Sequence, residues 1–145
     1  MSRRCTTIDR AARVVAAALC LAIAWVHVED QGGIPGDETP GYIAIAYYLL
    51  EGGSVVCAGL LLAGLRTGRY ADVWLFASWI ANGPLLGNAL ARIPDIPDYG
   101  TDDSYWTDPP GVESIVAEVF LLVLSLTMTL RASQPRPLPS RPDSA

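Results

Sequence analysis

The chain has 145 residues, of which 51% are hydrophobic and only 17% are charged, whereas soluble domains carry about a quarter charged residues. This length suits one domain. All 10 basic residues are arginine, and 15 acidic residues give a net charge of −5. Such a chain has no broad cationic surface with interleaved aromatic residues for nucleic acid. The composition therefore excludes a nucleic-acid partner and argues against a water-soluble enzyme.

Four apolar stretches follow along the chain, each about as long as the 17–25 residues that cross a bilayer core as a helix. They are Ala11–Val28, Gly41–Leu65, Ala71–Ile93 and Val112–Leu130. A buried soluble helix would explain any one of them, but four together predict an all-α integral membrane four-helix bundle over residues 11–131. Residues 1–10 are expected to be a cytoplasmic segment and 132–145 a disordered, proline-rich cytoplasmic tail.

The first stretch resembles a signal peptide in its basic start, but it lacks a small-residue cleavage site and is interpreted as a retained span. Arginine placement predicts the orientation of the bundle. Arg92 alone falls in the two loops on one side. The other nine flank the opposite side: Arg3, Arg4, Arg10, Arg13, Arg66, Arg69, Arg131, Arg136 and Arg141. The positive-inside rule then places both termini in the cytoplasm and the protein in the cytoplasmic (inner) membrane.

Glu51 is the most informative polar residue of the apolar stretches. It lies ten residues after Gly41, so at about 1.5 Å per residue it sits roughly 15 Å below the outer surface. A carboxylate there costs on the order of 3 kcal/mol, so it should face the bundle. Tyr47 and Ser54 share its helical face, and Asn82 in the third stretch is its expected partner. Two interpretations of this group are possible: a site that binds a proton or a cation, or a structural hydrogen bond between helices.

The third stretch contains an unusual run from Ser78 to Gly87. Pro84 cannot donate a hydrogen bond to the carbonyl of Ile80, which predicts a kink in the helix. Gly83 and Gly87 form a small-xxx-small spacing that lets another helix approach closely.

A second candidate polar group lies nearer the outer face. Its members are polar or charged residues near the outer ends of three stretches: His27, Asn88, Arg92, Glu113 and Glu118. The chain has one histidine, so it cannot build a histidine-rich metal site or a bis-histidine haem site. Neither Cys5, Cys20 nor Cys57 reaches the oxidising face, so no disulfide is expected. We therefore expect no metal, no cofactor and no catalytic residues.

Several of these residues resemble a family of small four-span membrane proteins of unassigned function from high-GC Gram-positive (actinobacterial) bacteria. The resemblance covers about residues 11–130. It consists of His27, Gly83-Pro84-Leu-Leu-Gly87, Arg92 with a following proline, Trp106 in an acidic outer loop, and Pro110-Gly111 before Glu118. It implies the four-span architecture and no catalytic role.

Two functional classes follow from the sequence. One is a non-enzymatic accessory or structural subunit that packs against other membrane proteins or its own copies in the lipid bilayer. The other is a small carrier or sensor, coupled to protons or cations, that uses Glu51 and Asn82. The missing catalytic set and the small residues of the third stretch favour the first.

Overall fold

The computed structural model describes residues 7–36, 41–67, 71–90 and 109–133. It contains four helices: α1 (Thr7–Asp30), α2 (Gly41–Thr67), α3 (Ala71–Leu90) and α4 (Pro109–Ser133). Three predicted features lie outside the described residues: the first six residues of the N-terminal segment, nearly all of the second outer loop with Arg92, and the proline-rich tail from residue 134.

Local sequence signals explain where the helices begin and end. α4 starts at Pro109, because proline has no amide hydrogen to leave unpaired in the first turn. α1 begins four residues before its apolar stretch, and Asp9 in its first turn complements the helix dipole. Arg66 and Arg131 occupy the last turns of α2 and α4, where a cation is favourable.

The helices form a bundle in which each packs against its neighbour in the chain and α1 also packs against α4. The diagonal pair α1 and α3 meets only sparsely. Small residues such as Ala16, Ala17 and Ala77 fill much of the core and let the helix backbones approach closely. Cys20 on α1 and Cys57 on α2 are free and fully buried.

The outside of the bundle is strongly apolar. Large hydrophobic side chains are exposed on every helix, among them Trp25, Leu49, Trp79 and Phe120. Within the described residues, α1, α2 and α4 are long and apolar enough to cross a membrane. The all-helical fold is thus confirmed, and these helices indicate a membrane protein.

α3 is not among those three helices. Its apolar sequence is interrupted by four residues: Asp72, Asn82, Pro84 and Asn88. Pro84 lies inside the helix, which continues to Leu90. The buried core of α3 begins at Val73 and Trp74. The Trp74 ring lies beneath the Arg13 guanidinium of α1, with 5.5 Å between Cζ and the ring centroid.

Candidate functional site

Two buried polar pairs lie at the end of the bundle where α1 stops. The first, called here the His27–Glu118 pair, joins α1 to α4. The second, the Gln31–Glu51 pair, joins the residue after α1 to α2. Their residues are 0–8% exposed, so this end of the bundle buries four polar side chains at once.

His27 is held by its own helix. Nδ1 lies 2.9 Å from the carbonyl oxygen of Ile23, and because a carbonyl only accepts, Nδ1 carries the hydrogen. Nε2 faces the other way, 3.8 Å from Oε1 of Glu118. Ser114, one turn before Glu118 on α4, donates its hydroxyl hydrogen to that same oxygen. Oε2 of Glu118 is buried without a hydrogen-bond partner among the described residues.

Tyr47 connects this pair to the end of α1. Its ring lies 5.3 Å from the His27 ring, centroid to centroid, and its hydroxyl donates to Oδ2 of Asp30 at 2.7 Å. Tyr47 lies four residues before Glu51 on α2, and its hydroxyl bonds to the last residue of α1.

The turn after α1 positions Gln31. Gly33 N–H donates to the carbonyl of Val28 and Gly32 N–H to that of Glu29, the hydrogen-bond pattern of a Schellman helix end. Gly32 has φ 83°, in the left-handed region that favours glycine. This turn buries Gln31 completely, and its Nε2 donates to Oε1 of Glu51 at 2.6 Å.

The predicted pairing of Glu51 with Asn82 is wrong. Glu51 is buried, with Ser54 one turn further along α2, but its partner is Gln31. Asn82 is exposed on the outside of α3. The core face of α3 instead contains Val73, Trp74, Ala77, Ile80 and Ala81. Helix α3 is therefore rotated so that Asn82 points away from the carboxylate.

The predicted outer-face cluster is brought together only in part. His27 and Glu118 meet, whereas Glu113 is exposed at the start of α4. Asn88 is half-buried near the end of α3, and Arg92 lies outside the described residues. A functional role for these residues stays a prediction.

Two residues of this region were not singled out from the sequence: Gln31, and Ser114, which bonds to Glu118. Gln31 precedes two glycines, and such a segment is typical of a solvated turn. Ser114 lies four residues before Glu118, a spacing at which helical side chains meet. That spacing was an available signal for Ser114, whereas nothing local indicates that Gln31 is buried.

The side chains described at this end of the bundle can form hydrogen bonds and exchange protons. Among the described residues, no group of three His, Cys, Asp or Glu side chains could hold a metal ion. No family model matches the chain, and no curated protein or solved structure is significantly similar to it. Its function must therefore be argued from its own geometry.

Proposed function

We propose that this chain is a small accessory or structural membrane subunit that binds a second membrane-spanning helix through the outer face of α3. The observation that carries the proposal is the combination of Asn82, Gly83 and Gly87 on one exposed stripe of that helix. The stripe also contains exposed Trp79 and Leu86. These residues follow the i, i+3, i+4, i+7, i+8 spacing of one helix face.

The glycines of this stripe make no close packing contact within the described part of the bundle. A Cβ atom added at Gly83 or Gly87 would meet no other atom of the described residues within 4 Å. Glycine in the middle of a helix costs roughly 0.5–1 kcal/mol relative to alanine, and the bundle gains no close contact in return. Two glycines four residues apart form a groove that suits the close approach of a helix from another chain.

Asn82 supplies the second half of the surface. It is the twelfth residue of a 20-residue helix, so in a spanning α3 it lies near the middle of the bilayer. An amide exposed to hydrocarbon costs several kcal/mol unless it finds a hydrogen-bond partner. A polar side chain or backbone carbonyl on a neighbouring helix would satisfy it beside the glycine groove.

The partner is therefore a transmembrane helix that offers a hydrogen-bonding group at the depth of Asn82. A second copy of α3 meets this requirement, because copies inserted in one orientation place their Asn82 amides at the same depth. Each amide both donates and accepts. Self-association is accordingly measured together with binding to other membrane proteins.

The test is co-purification of the full chain from membranes under mild detergent, with cross-linking between two differently tagged copies and mass spectrometry. We expect stoichiometric recovery of a second copy or of another membrane protein. Asn82→Leu and Gly83→Ile should each reduce it by about tenfold, the equivalent of about 1.4 kcal/mol.

Gly59→Ile on α2 is the matched control. Gly59 is also exposed, with nothing among the described residues within 4 Å of an added Cβ, but the residues three and four positions away on its face are all apolar. Its replacement should leave recovery unchanged. An equal loss for Gly59→Ile and Gly83→Ile, or a monomer that recovers no partner, would contradict the proposal.

The four-span topology with cytoplasmic termini is part of the proposal. α3 packs between α2 and α4 in the same bundle, and 20 residues of helix are about 30 Å long, the thickness of a bilayer core. The arginine asymmetry supports the orientation. Reporter domains fused after Arg69 and at the C-terminus should both behave as cytoplasmic, and activity of a periplasmic reporter at either position contradicts this topology.

A further inference from the structure

The His27–Glu118 pair buries two ionisable side chains, which packing alone does not explain. Both residues are buried between α1 and α4, His27 at 6% and Glu118 at 1% exposure. Buried ionisable groups inside a membrane protein are costly and characteristically belong to proton or ion pathways. The arrangement of their hydrogen bonds shows what this pair can bind.

Hydrogen bonding determines where protons can reside. Nδ1 of His27 donates to the carbonyl of Ile23, so in the neutral ring Nε2 presents a lone pair. Across the helix interface, Oε1 of Glu118 lies 3.8 Å from it. With Glu118 ionised and His27 neutral, two acceptors would face each other and the pair would carry an uncompensated negative charge. One additional proton removes both costs.

We propose that His27 and Glu118 form a binding site for a single proton between α1 and α4. The bound proton makes the pair electrically neutral overall, either as an imidazolium with a carboxylate or as a neutral ring with a carboxylic acid. The gap of 3.8 Å exceeds a hydrogen bond. Proton uptake draws the two atoms toward the ~2.7–2.9 Å of a charge-assisted hydrogen bond, so occupancy of the site controls the contact between the two helices.

Acidic side chains accompany the pair on α1 and α2. On α1 these are Glu29 and Asp30, the latter bonded to Tyr47 of α2, and α2 also contributes Glu51 beside Gln31. On α4 Ser114 bonds to Glu118, whereas Glu113 is exposed. The uncharged Asn88 is the polar residue of the adjoining part of α3.

Cations are absent from this end of the described bundle apart from His27 itself. The described arginines belong to the opposite end, in the first turns of α1 and the last turns of α2 and α4: Arg10, Arg13, Arg66 and Arg131. A proton is therefore the cation that can neutralise Glu118 within this part of the structure.

The single histidine of the chain makes the site directly measurable. Full-length protein carrying a tag without histidine is labelled with ¹⁵N- and ¹³C-histidine and titrated by NMR in nanodiscs. Wild type should show a neutral ring with hydrogen on Nδ1 at high pH and a single titration on acidification. Hydrogen on Nε2 in the neutral ring would overturn the proposal, because no lone pair would then face Glu118.

Two variants should move the titration in opposite directions. Glu118→Gln removes the negative partner, so the midpoint should fall by about one pH unit or more. Ser114→Ala removes the hydroxyl that bonds to Oε1 of Glu118, so this oxygen becomes a stronger acceptor for the imidazolium and the same midpoint should rise. Opposite shifts are not expected from a general loss of packing.

Glu113→Gln is the matched control, an acid on the same helix that is exposed rather than buried. Its ring titration should coincide with that of wild type. Identical titrations in wild type, Glu118→Gln and Ser114→Ala would overturn the proposal. Since Ser114→Ala changes one hydroxyl, it keeps the test decisive if Glu118→Gln does not fold. The site does not depend on partner binding through α3, and its test uses the chain alone.

Discussion

Trp74→Ala should lower the free energy of unfolding by about 3–5 kcal/mol, the usual cost of removing a buried tryptophan. Trp74 is 2% exposed in the core of the bundle, and its ring also supports the buried Arg13 guanidinium. The substitution therefore creates a cavity and removes the cation–π contact. Reversible unfolding in mixed detergent micelles measures the loss.

Trp79→Ala provides a control of the same residue type on the same helix. Trp79 is 73% exposed, so its removal should change the free energy of unfolding by less than about 0.5 kcal/mol. If α3 binds a partner helix through its outer face, Trp79→Ala should instead reduce co-purification. Equal destabilisation by Trp74→Ala and Trp79→Ala would mean that α3 is not oriented as the structure has it.

The helices themselves could be predicted from the sequence because their signals are local. Length and apolar composition define the stretches, and a proline followed by glycine lies at the start of two of them, at Gly41 and at Gly111. The apolar stretches that begin at Gly41 and Ala71 fall in α2 and α3. α1 extends beyond its apolar stretch at both ends, since helix formation does not require apolar residues once the dipole and the C-terminal turn are satisfied.

The rotation of α3 could not be predicted in the same way. A soluble helix reveals its buried face by its periodicity, but a helix that meets lipid is apolar on both sides. The prediction that Asn82 pairs with Glu51 therefore rests on their similar depth. An amide at that depth needs a hydrogen-bond partner, but the sequence of one chain does not distinguish a partner inside the bundle from one on another chain.

For the two polar pairs, the burial of the carboxylates could be predicted from the sequence, but their partners could not. The burial of Glu51 and Glu118 follows from the price of a carboxylate in hydrocarbon. Their partners depend on tertiary geometry: Gln31 reaches Glu51 through the turn that ends α1, and His27 meets Glu118 because α1 packs against α4. Neither approach is encoded in a short motif.

Substitutions in the Gln31–Glu51 pair should produce the second large change in the free energy of unfolding. Glu51→Leu should cost about 1–3 kcal/mol, because it leaves the fully buried amide of Gln31 without its acceptor. Glu51→Gln should be nearly neutral. The new amide oxygen accepts from Gln31 Nε2, and its NH₂ group can donate to Gln31 Oε1, which has no partner among the described residues.

Ser54→Ala is the control on the same face of α2. Ser54 is fully buried one turn after Glu51, and its hydroxyl has no hydrogen-bond partner among the described residues. Removing that hydroxyl should leave the free energy of unfolding unchanged or slightly raise it, since an unsatisfied polar group is lost. A loss of stability as large as that of Glu51→Leu would show that replacing any polar residue on this face is costly, whether or not it has a hydrogen-bond partner.

A double-mutant cycle then isolates the pair. Gln31→Met alone should destabilise the protein, because it leaves a buried carboxyl group without its donor. Gln31→Met combined with Glu51→Leu should recover much of the loss, since replacing both partners by apolar groups of similar size leaves nothing unsatisfied. A coupling energy near zero would contradict the hydrogen bond between them.

If Glu51→Gln folds normally but abolishes an activity of the protein, Glu51 acts through its ionisation, because the amide preserves the hydrogen bond and removes only the charge.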